Sequence, residues 1–346
     1  MNKLTYIIKR LLLAFITGFI IISVTFILLK LIKEDPPVGL PTDIKNFYDN
    51  QVNIGYSYTS PVMLPNLEYD WVYQDSNTGV STYYYSYPIM SQYWSWLSNI
   101  FTKWNWGTSL YIEKGANVGY IINKRLWVSV NINLITIIIS IPLGIIFGII
   151  AALKKNRPVD RVLSITNMIF ISIPSFVFIS LLVMIFGYGL KVLPTTWPQD
   201  TAPQATKVLG YIIPVLAGAF SGICSYQRVV RGELTEVMSS DFLLLARTKG
   251  LTKSQTVVRH ALRNAMVPVL PSILASIVGV LGGSAILESI YSIPGIGQLF
   301  ISAINTKDYN VLMMDMAVFT TIGLLAGIIL DLSYGFLDPR IRMGEK

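Results

Sequence analysis

The run Leu11–Leu29 contains no charged residue and is long enough to cross a lipid bilayer. A hydrocarbon core about 30 Å thick is spanned by about 20 mostly apolar helical residues, because lipid leaves a free backbone amide unsatisfied. Five further stretches share this character: Leu126–Leu153, Val162–Leu190, Val208–Tyr226, Ala265–Ile290 and Val311–Leu337. Gly and Ser interrupt Val208–Tyr226, which makes it the weakest of the six. Pro142, Pro174, Pro214, Pro268 and Pro271 mark places where these spans kink or begin. The chain is therefore expected to be an all-α integral membrane protein of about six spans.

Composition agrees. Only 13% of the 346 residues are charged, against about 25% in soluble domains. One cysteine excludes an intramolecular disulfide, and one histidine argues against a His-based metal site. The net charge of +8 is read as a topology signal of membrane loops rather than as a nucleic-acid surface.

Lys9 and Arg10 precede the first span as they would in a signal peptide. The apolar run is too long for that, however, and residues 30–35 offer no small-residue cleavage site. An uncleaved helix is expected over residues 1–32. With both termini inside, 17 of the 27 Lys and Arg fall in the inner segments, near helix ends where the positive-inside rule applies.

Two segments lie outside the membrane on this reading. Residues 33–125 hold 19 of the 41 aromatic residues, including Tyr83-Tyr84-Tyr85 and Tyr93-Trp94-Ser95-Trp96. So many aromatics argue for a folded cap rather than a linker. They either form its core and rest at the membrane interface, or make a surface on which a partner docks. The other segment, 228–264, reads as helix, break at Gly250, helix. Ser239, Ser240 and Asp241 supply N-cap candidates, Gly250 a C-terminal cap, and Thr252 or Ser254 the next start. Arg247 and Lys249 fall in the last turn, where cations suit the helix dipole. The five spans over 126–337 enclose this loop, and 338–346 is a tail.

Asp241-Phe-Leu-Leu-Leu-Ala-Arg-Thr-Lys-Gly-Leu251, followed by Arg259-His-Ala-Leu-Arg-Asn-Ala-Met-Val-Pro268, resembles the loop of ABC-importer permeases of the oligopeptide/dipeptide branch. Pro88-Ile-Met-Ser-Gln-Tyr-Trp-Ser-Trp-Leu97 and Trp106-Gly-Thr-Ser109 resemble the external region of its B-type subunit. Pro142-Leu-Gly144, Ala151-Ala152, Asp160, Glu288-Ser-Ile-Tyr-Ser-Ile-Pro-Gly-Ile-Gly297 and Leu337-Asp-Pro-Arg-Ile-Arg342 follow in the same order. The likeness covers about Gln92–Arg342 and the first helix. Two departures stand out. Leu244, Leu245 and Ala246 replace the general Glu-Ala-Ala, so only the last alanine matches, and residues 34–87 find no place in the motifs that carry the resemblance.

The resemblance implies an ABC type I importer permease. It would pair with a second homologous permease, sit on two ABC ATPases that bind the ATP, and receive a peptide from an extracellular binding lipoprotein. It would itself hold no cofactor. The helix before Gly250 would lie in a groove of one ATPase, making Asp241, Ala246, Arg247, Lys249 and Gly250 the coupling-loop residues. Gly250 serves equally as an ordinary helix cap, and the two cations equally satisfy the positive-inside rule. His260 has no partner that would make it chemical. Glu288, Asp315 and Asp331 each cost roughly 2.5–3.5 kcal/mol at mid-membrane, and are expected near helix ends in interhelical pairs. Ser272, Ser276, Gly279 and Gly283 form a small-residue face, read first as a helix contact and second as a pathway lining.

Other classes fit less well. No G-x-x-x-x-G-K-[ST] occurs, so the chain has no ATP-hydrolysing loop of that type. An ion-coupled secondary transporter would carry mid-membrane ionisable residues and paired repeats, and a membrane protease a Ser/His or Asp pair. Within the resembled family, oligopeptides are preferred, with dipeptides, nickel and glycans as alternatives.

Overall fold

The computed structural model describes residues 3–32, 36–37, 39–75 and 78–337. The tail 338–346 lies outside them, as do residues 33–35 of the segment weighed for signal cleavage. The elements in order are α1 (Lys3–Leu31), α2 (Pro41–Asn53), β1 (Ser57–Ser60), β2 (Trp71–Gln74), β3 (Ser81–Ser86), α3 (Ile89–Lys103) and α4 (Val118–Leu153). Next come α5 (Pro158–Ser172), α6 (Ser175–Leu182), α7 (Gln204–Gly210), α8 (Ile212–Met238), α9 (Asp241–Thr248), α10 (Lys253–Thr256) and α11 (Leu262–Ala265). The chain ends in α12 (Leu270–Gly279), α13 (Ala285–Ile290), α14 (Ile296–Thr306) and α15 (Tyr309–Leu337).

Among the described residues, four helical stretches, Thr5–Leu31, Val118–Leu153, Gln204–Met238 and Tyr309–Ser333, are long and apolar enough to cross a membrane. Two bent pairs raise the number to 6. Pro158–Ser172 meets Ser175–Gly189 at 99°, and Val257–Ala265 meets Leu270–Gly282 at 58°. Pro174 explains the first bend, since it occupies the N-cap of α6 and pushes Ile173 to an extended conformation (ψ 118°). By contrast, α4 continues as one helix through Pro142.

The fourth span, which Gly and Ser interrupt in sequence, is helical across them and continues past Tyr226 to Met238. The reason is packing. A Cβ on Gly218 would stand 2.9 Å from Thr136, and one on Gly222 would stand 2.7 Å from Ser140. These glycines let α8 approach α4 at backbone distance, in the way small residues serve helix pairs in lipid. The fifth span ends earlier than Ile290. Its regular helix ends at Gly279, one 3₁₀ turn follows, and Gly283 reverses the chain at φ +57°.

The chain divides into two compact units that do not follow chain order. The first comprises Met1–Phe15, Arg125–Leu299 and Thr321–Lys346; the second comprises Ile16–Lys124 and Phe300–Thr320. In the first, Ile132, Ile179, Ile213, Tyr291 and Ile293 form one buried cluster. Arg10 pairs with Asp331 at 2.9 Å there, so one of the three flagged acids is an interhelical partner near a helix end.

In the second unit, β3 is the central strand of an antiparallel sheet ordered β1-β3-β2, with Tyr58 opposite Tyr85 and Trp71 opposite Tyr84. Neighbouring side chains of a strand face opposite ways, and both faces of this sheet are covered. Tyr84 packs with Phe47 and Tyr48 of α2 and donates to Asp49 Oδ1 at 2.7 Å. Burial, then that hydrogen bond, push its phenol well above the usual range. Tyr85 stacks on Tyr58, and its hydroxyl accepts the Leu64 amide at 2.8 Å. Tyr84 and Tyr85 of the tyrosine run are thus core material, and Tyr83 is half-buried.

Candidate functional site

The segment between the fourth and fifth spans begins where α8 ends. Ser239 and Ser240 amides donate to Glu236 and Val237 carbonyls at 3.0 and 3.1 Å, turning the chain into α9. Asp241 opens this helix of 8 residues, its charge suiting the N-terminal dipole. Leu243, 2% exposed, is the anchor, packed with Ala152, Leu234, Ala261 and Ala265. The other apolar residues of α9 point away: Leu244 is 63% exposed, Leu245 59% and Phe242 43%. α9 is thus held by one buried leucine and leaves three large apolar side chains exposed.

Gly250 lies just beyond at φ +86°, the left-handed conformation that a helix C-terminus favours. Nothing approaches within 4 Å of a Cβ built there, so the demand on this residue comes from the backbone alone. Ala246 is half-buried and Lys249 is exposed, while the side chain of Arg247 lies outside the described residues. Thr252 closes the next helix start. Its Oγ1 accepts the Gln255 amide at 3.3 Å and Gln255 Oε1 accepts the Thr252 amide at 3.1 Å, a reciprocal capping pair. The side chain of Ser254, the other cap candidate, also lies outside the described residues. His260 is exposed.

The support beneath α9 is stiff. A Cβ on Gly144 would stand 2.5 Å from Tyr226 Cβ, and one on Gly148 would stand 2.7 Å from Val230, so α4 and α8 touch backbone to backbone. Arg231 Nε and Nη2 donate to Asp160 Oδ1 and Oδ2 at 2.6 and 2.9 Å, tying α8 to the first turn of α5. Asp160 also accepts the Asn156 amide at 2.9 Å. Further along, Asn167 donates to the Cys224 carbonyl at 2.6 Å and to Gln227. The sequence reading did not single out Arg231 or Asn167. An arginine three residues after Arg228 in an apolar helix looks like one more topology charge.

The small-residue face is divided by the structure. Tyr226 donates to Ser276 Oγ at 2.6 Å, and its hydroxyl lies 3.3 Å from the Ser272 carbonyl, so these serines meet α8. No atom lies within 4 Å of a Cβ on Gly279. Gly283 does not continue the face, because the helix has already ended. Its Cβ would meet Glu288 Oε1 at 2.8 Å.

Glu288 itself organises the turn that follows. Its Oε1 accepts from Ser129 Oγ at 2.7 Å and from the Ser284 amide at 3.1 Å, and its Oε2 accepts the Gln298 amide at 2.9 Å. Ser129 Oγ in turn accepts the Ile296 amide at 3.0 Å. Glu288 thus joins α4, α13 and α14 within the first unit, an interhelical use of a buried acid. In the second unit Asp308, fully buried, does comparable work. Its Oδ2 accepts from Ser109 Oγ at 2.6 Å and from the amides of Leu110, Tyr111 and Ile112 at 3.1, 3.1 and 3.3 Å. Sequence reasoning missed Asp308, whose polar setting of Lys307 and Tyr309 marks it as an ordinary loop residue.

A polytopic helical chain with a short, apolar, partly bare helix in a basic inter-span loop has the form of a membrane subunit driven by a protein on one side. Residues 144–343 match the family described as the binding-protein-dependent transport system inner membrane component, and the chain belongs to that family. Among curated proteins it is 32% identical over 339 residues to the dipeptide transport system permease protein DppB of Lactococcus lactis subsp. cremoris, covering 98% of this chain and 99% of that one. It is likewise 32% identical over 340 residues to the oligopeptide transport system permease protein OppB of Escherichia coli, with 98% and 99% covered. Among solved structures, an amino acid ABC transporter aligns at a TM-score of 0.49 and 15% identity, over 63% of this chain and 94% of that one.

Proposed function

We propose that this chain is the pore-forming permease subunit of an ATP-driven ABC importer for oligopeptides, working by alternating access. It pairs with a second homologous permease, stands on two ABC ATPases that bind and hydrolyse the ATP, and receives its peptide from an extracellular binding lipoprotein. It sits in a bacterial plasma membrane with both termini in the cytoplasm. Residues 1–32 form its entry helix, 33–125 an external cap, 126–337 the permease core with coupling loop 228–264, and 338–346 a cytoplasmic tail.

One observation carries the reading: α9 offers Phe242, Leu244 and Leu245 to an outside partner while Leu243 locks it to the core. Asp241 and Ala246 belong to this helix, and Arg247, Lys249 and Gly250 to its end. A groove in each ATPase takes up such a helix, and closing of the ATPases on ATP displaces it. Because α9 rests on α8, and α8 is bolted to α4 and α5, the displacement passes on as a rigid-body motion instead of being absorbed. Gly250 sets the angle at which the chain leaves the groove.

A dipeptide substrate is the second reading, favoured by the 32% identity to the dipeptide permease of Lactococcus lactis. The external binding protein makes most of the selection in either case. The test is co-purification from detergent-solubilised membranes. Leu244→Asp with Leu245→Asp is expected to release the ATPases while the second permease stays bound. Retention of the ATPases by this variant overturns the assignment of α9.

A further inference from the structure

The aromatic residues of α3 are not used like those of the neighbouring sheet. Tyr93 and Trp96 turn inward and pack on α1: Tyr93 hydroxyl lies 2.8 Å from Ser23 Oγ, and Trp96 stacks on Phe26 at 4.7 Å. Gln92 and Asn99 turn toward the cap, donating to the carbonyls of Tyr87 and Ile54 at 2.8 and 3.0 Å. A third edge is left bare. Met90, Trp94 and Phe101, at i, i+4 and i+11, are 56%, 63% and 65% exposed. Trp104, which ends the helix in a left-handed conformation, is 71% exposed.

The depth at which α3 lies follows from what it touches. The uncharged run Leu11–Leu29 fills the hydrocarbon core, so its outer boundary falls near Leu29 and Lys30. At 1.5 Å per residue, Ser23 is about 9 Å and Phe26 about 5 Å inside that boundary. The helix seated on them therefore runs at the level where amphipathic helices bury themselves, about 5–10 Å into the headgroup and acyl boundary. Its composition fits. On a helical wheel the bare apolar edge adjoins the face that packs on α1, and exposed Ser91, Ser98 and Thr102 lie between that edge and the face toward the cap. The helix has no acidic residue, and its single charge, Lys103, stands in the last turn.

We infer that α3 is an interfacial helix whose Met90–Trp94–Phe101–Trp104 edge lies in the bilayer leaflet at the C-terminal end of α1, the outer leaflet in the orientation proposed above. Its occupant is lipid, not a docking protein. The cap is thereby held against the membrane at a second point besides α1, which fixes its tilt.

The test uses the full-length chain in phosphatidylethanolamine/phosphatidylglycerol nanodiscs, with Cys224→Ala removing the native thiol. A nitroxide is attached at Trp94→Cys, Phe101→Cys or Ser98→Cys, and its collisions with oxygen and with a water-soluble nickel chelate are measured. Oxygen accessibility exceeding nickel accessibility several-fold at 94 and 101, with a lower ratio at 98, is the expected result. Nickel matching or exceeding oxygen at 94 and 101 overturns the inference, as does exclusion of both reagents, which would place a protein there. A conservative variant guards against misfolding. Trp94→Phe with Trp104→Phe should lower the fraction of tryptophan fluorescence quenched by bromine-labelled lipid, and an unchanged fraction also overturns it.

Discussion

Arg231 and Asp160 meet through two parallel N–H···O bonds, 2.6 and 2.9 Å long, that join the lower half of α8 to the start of α5. Asp160 is 3% exposed in its side chain, so removing Arg231 strands a buried carboxylate. The cost of breaking such a pair is about 3–5 kcal/mol. Arg231→Ala is expected to lower the thermal midpoint of the purified protein by several degrees, and Arg231→Lys to recover only part, since an ammonium lacks the planar fork that gives each carboxylate oxygen its own aligned N–H. The double variant Asp160→Leu/Arg231→Met should recover more than either single change. Equal midpoints for wild type and Arg231→Ala, measured by detergent-compatible differential scanning fluorimetry, would show that the pair holds nothing.

Gly250 is expected to tolerate size but not conformation. At φ +86° with open space around it, an alanine meets no neighbour but costs on the order of 1–2 kcal/mol of left-handed backbone strain. Asparagine should therefore keep more ATP-driven uptake than alanine, and valine should lose most. An order set by side-chain volume, with Ala above Asn, would mean that the loop is crowded in its working state.

Much of this was legible in the sequence, and the parts that were not share a cause. Spans are one-dimensional features: twenty apolar residues declare themselves, and Pro174 announces a bend. Packing is not. Gly218 and Gly222 look like interruptions until Thr136 and Ser140 are seen against them. The acids divide in the same way. Asp331 near a helix end implies a partner, whereas neither Glu288 nor Asp308 reveals from sequence that its donors lie 159 and 199 residues away. The coupling-loop positions rest on family likeness, and the exposure of Leu244 and Leu245 on α9 was not legible in the sequence.

Gly295 is expected to be among the least replaceable residues in the first unit. A Cβ there would collide with both Glu288 Oε2 and Ser129 Oγ, inside the hydrogen-bonded turn itself. Gly295→Ala must push apart a buried carboxylate and its donor, so a loss of about 2–3 kcal/mol follows from overpacking and a broken hydrogen bond together. Adding Ser129→Ala removes one of the two clashing atoms and should return part of the loss. If Gly295→Ala melts with the wild type, the turn has more room than its geometry states.

Asp308 offers the cleanest separation of charge from shape. One oxygen, Oδ2, collects a hydroxyl and three consecutive amides of the 109–112 loop. Bonds from such donors to a charged acceptor contribute about 1.5–3 kcal/mol in favourable cases. Asp308→Asn keeps an oxygen of the same size and direction yet removes the charge, and Asp308→Ala removes both. Hydrogen exchange at Leu110, Tyr111 and Ile112 should rise modestly in the first variant and by an order of magnitude or more in the second, with amides of the β3 strand unchanged. Faster exchange spread equally over β3 would mean that Asp308 supports the whole unit and not this loop in particular.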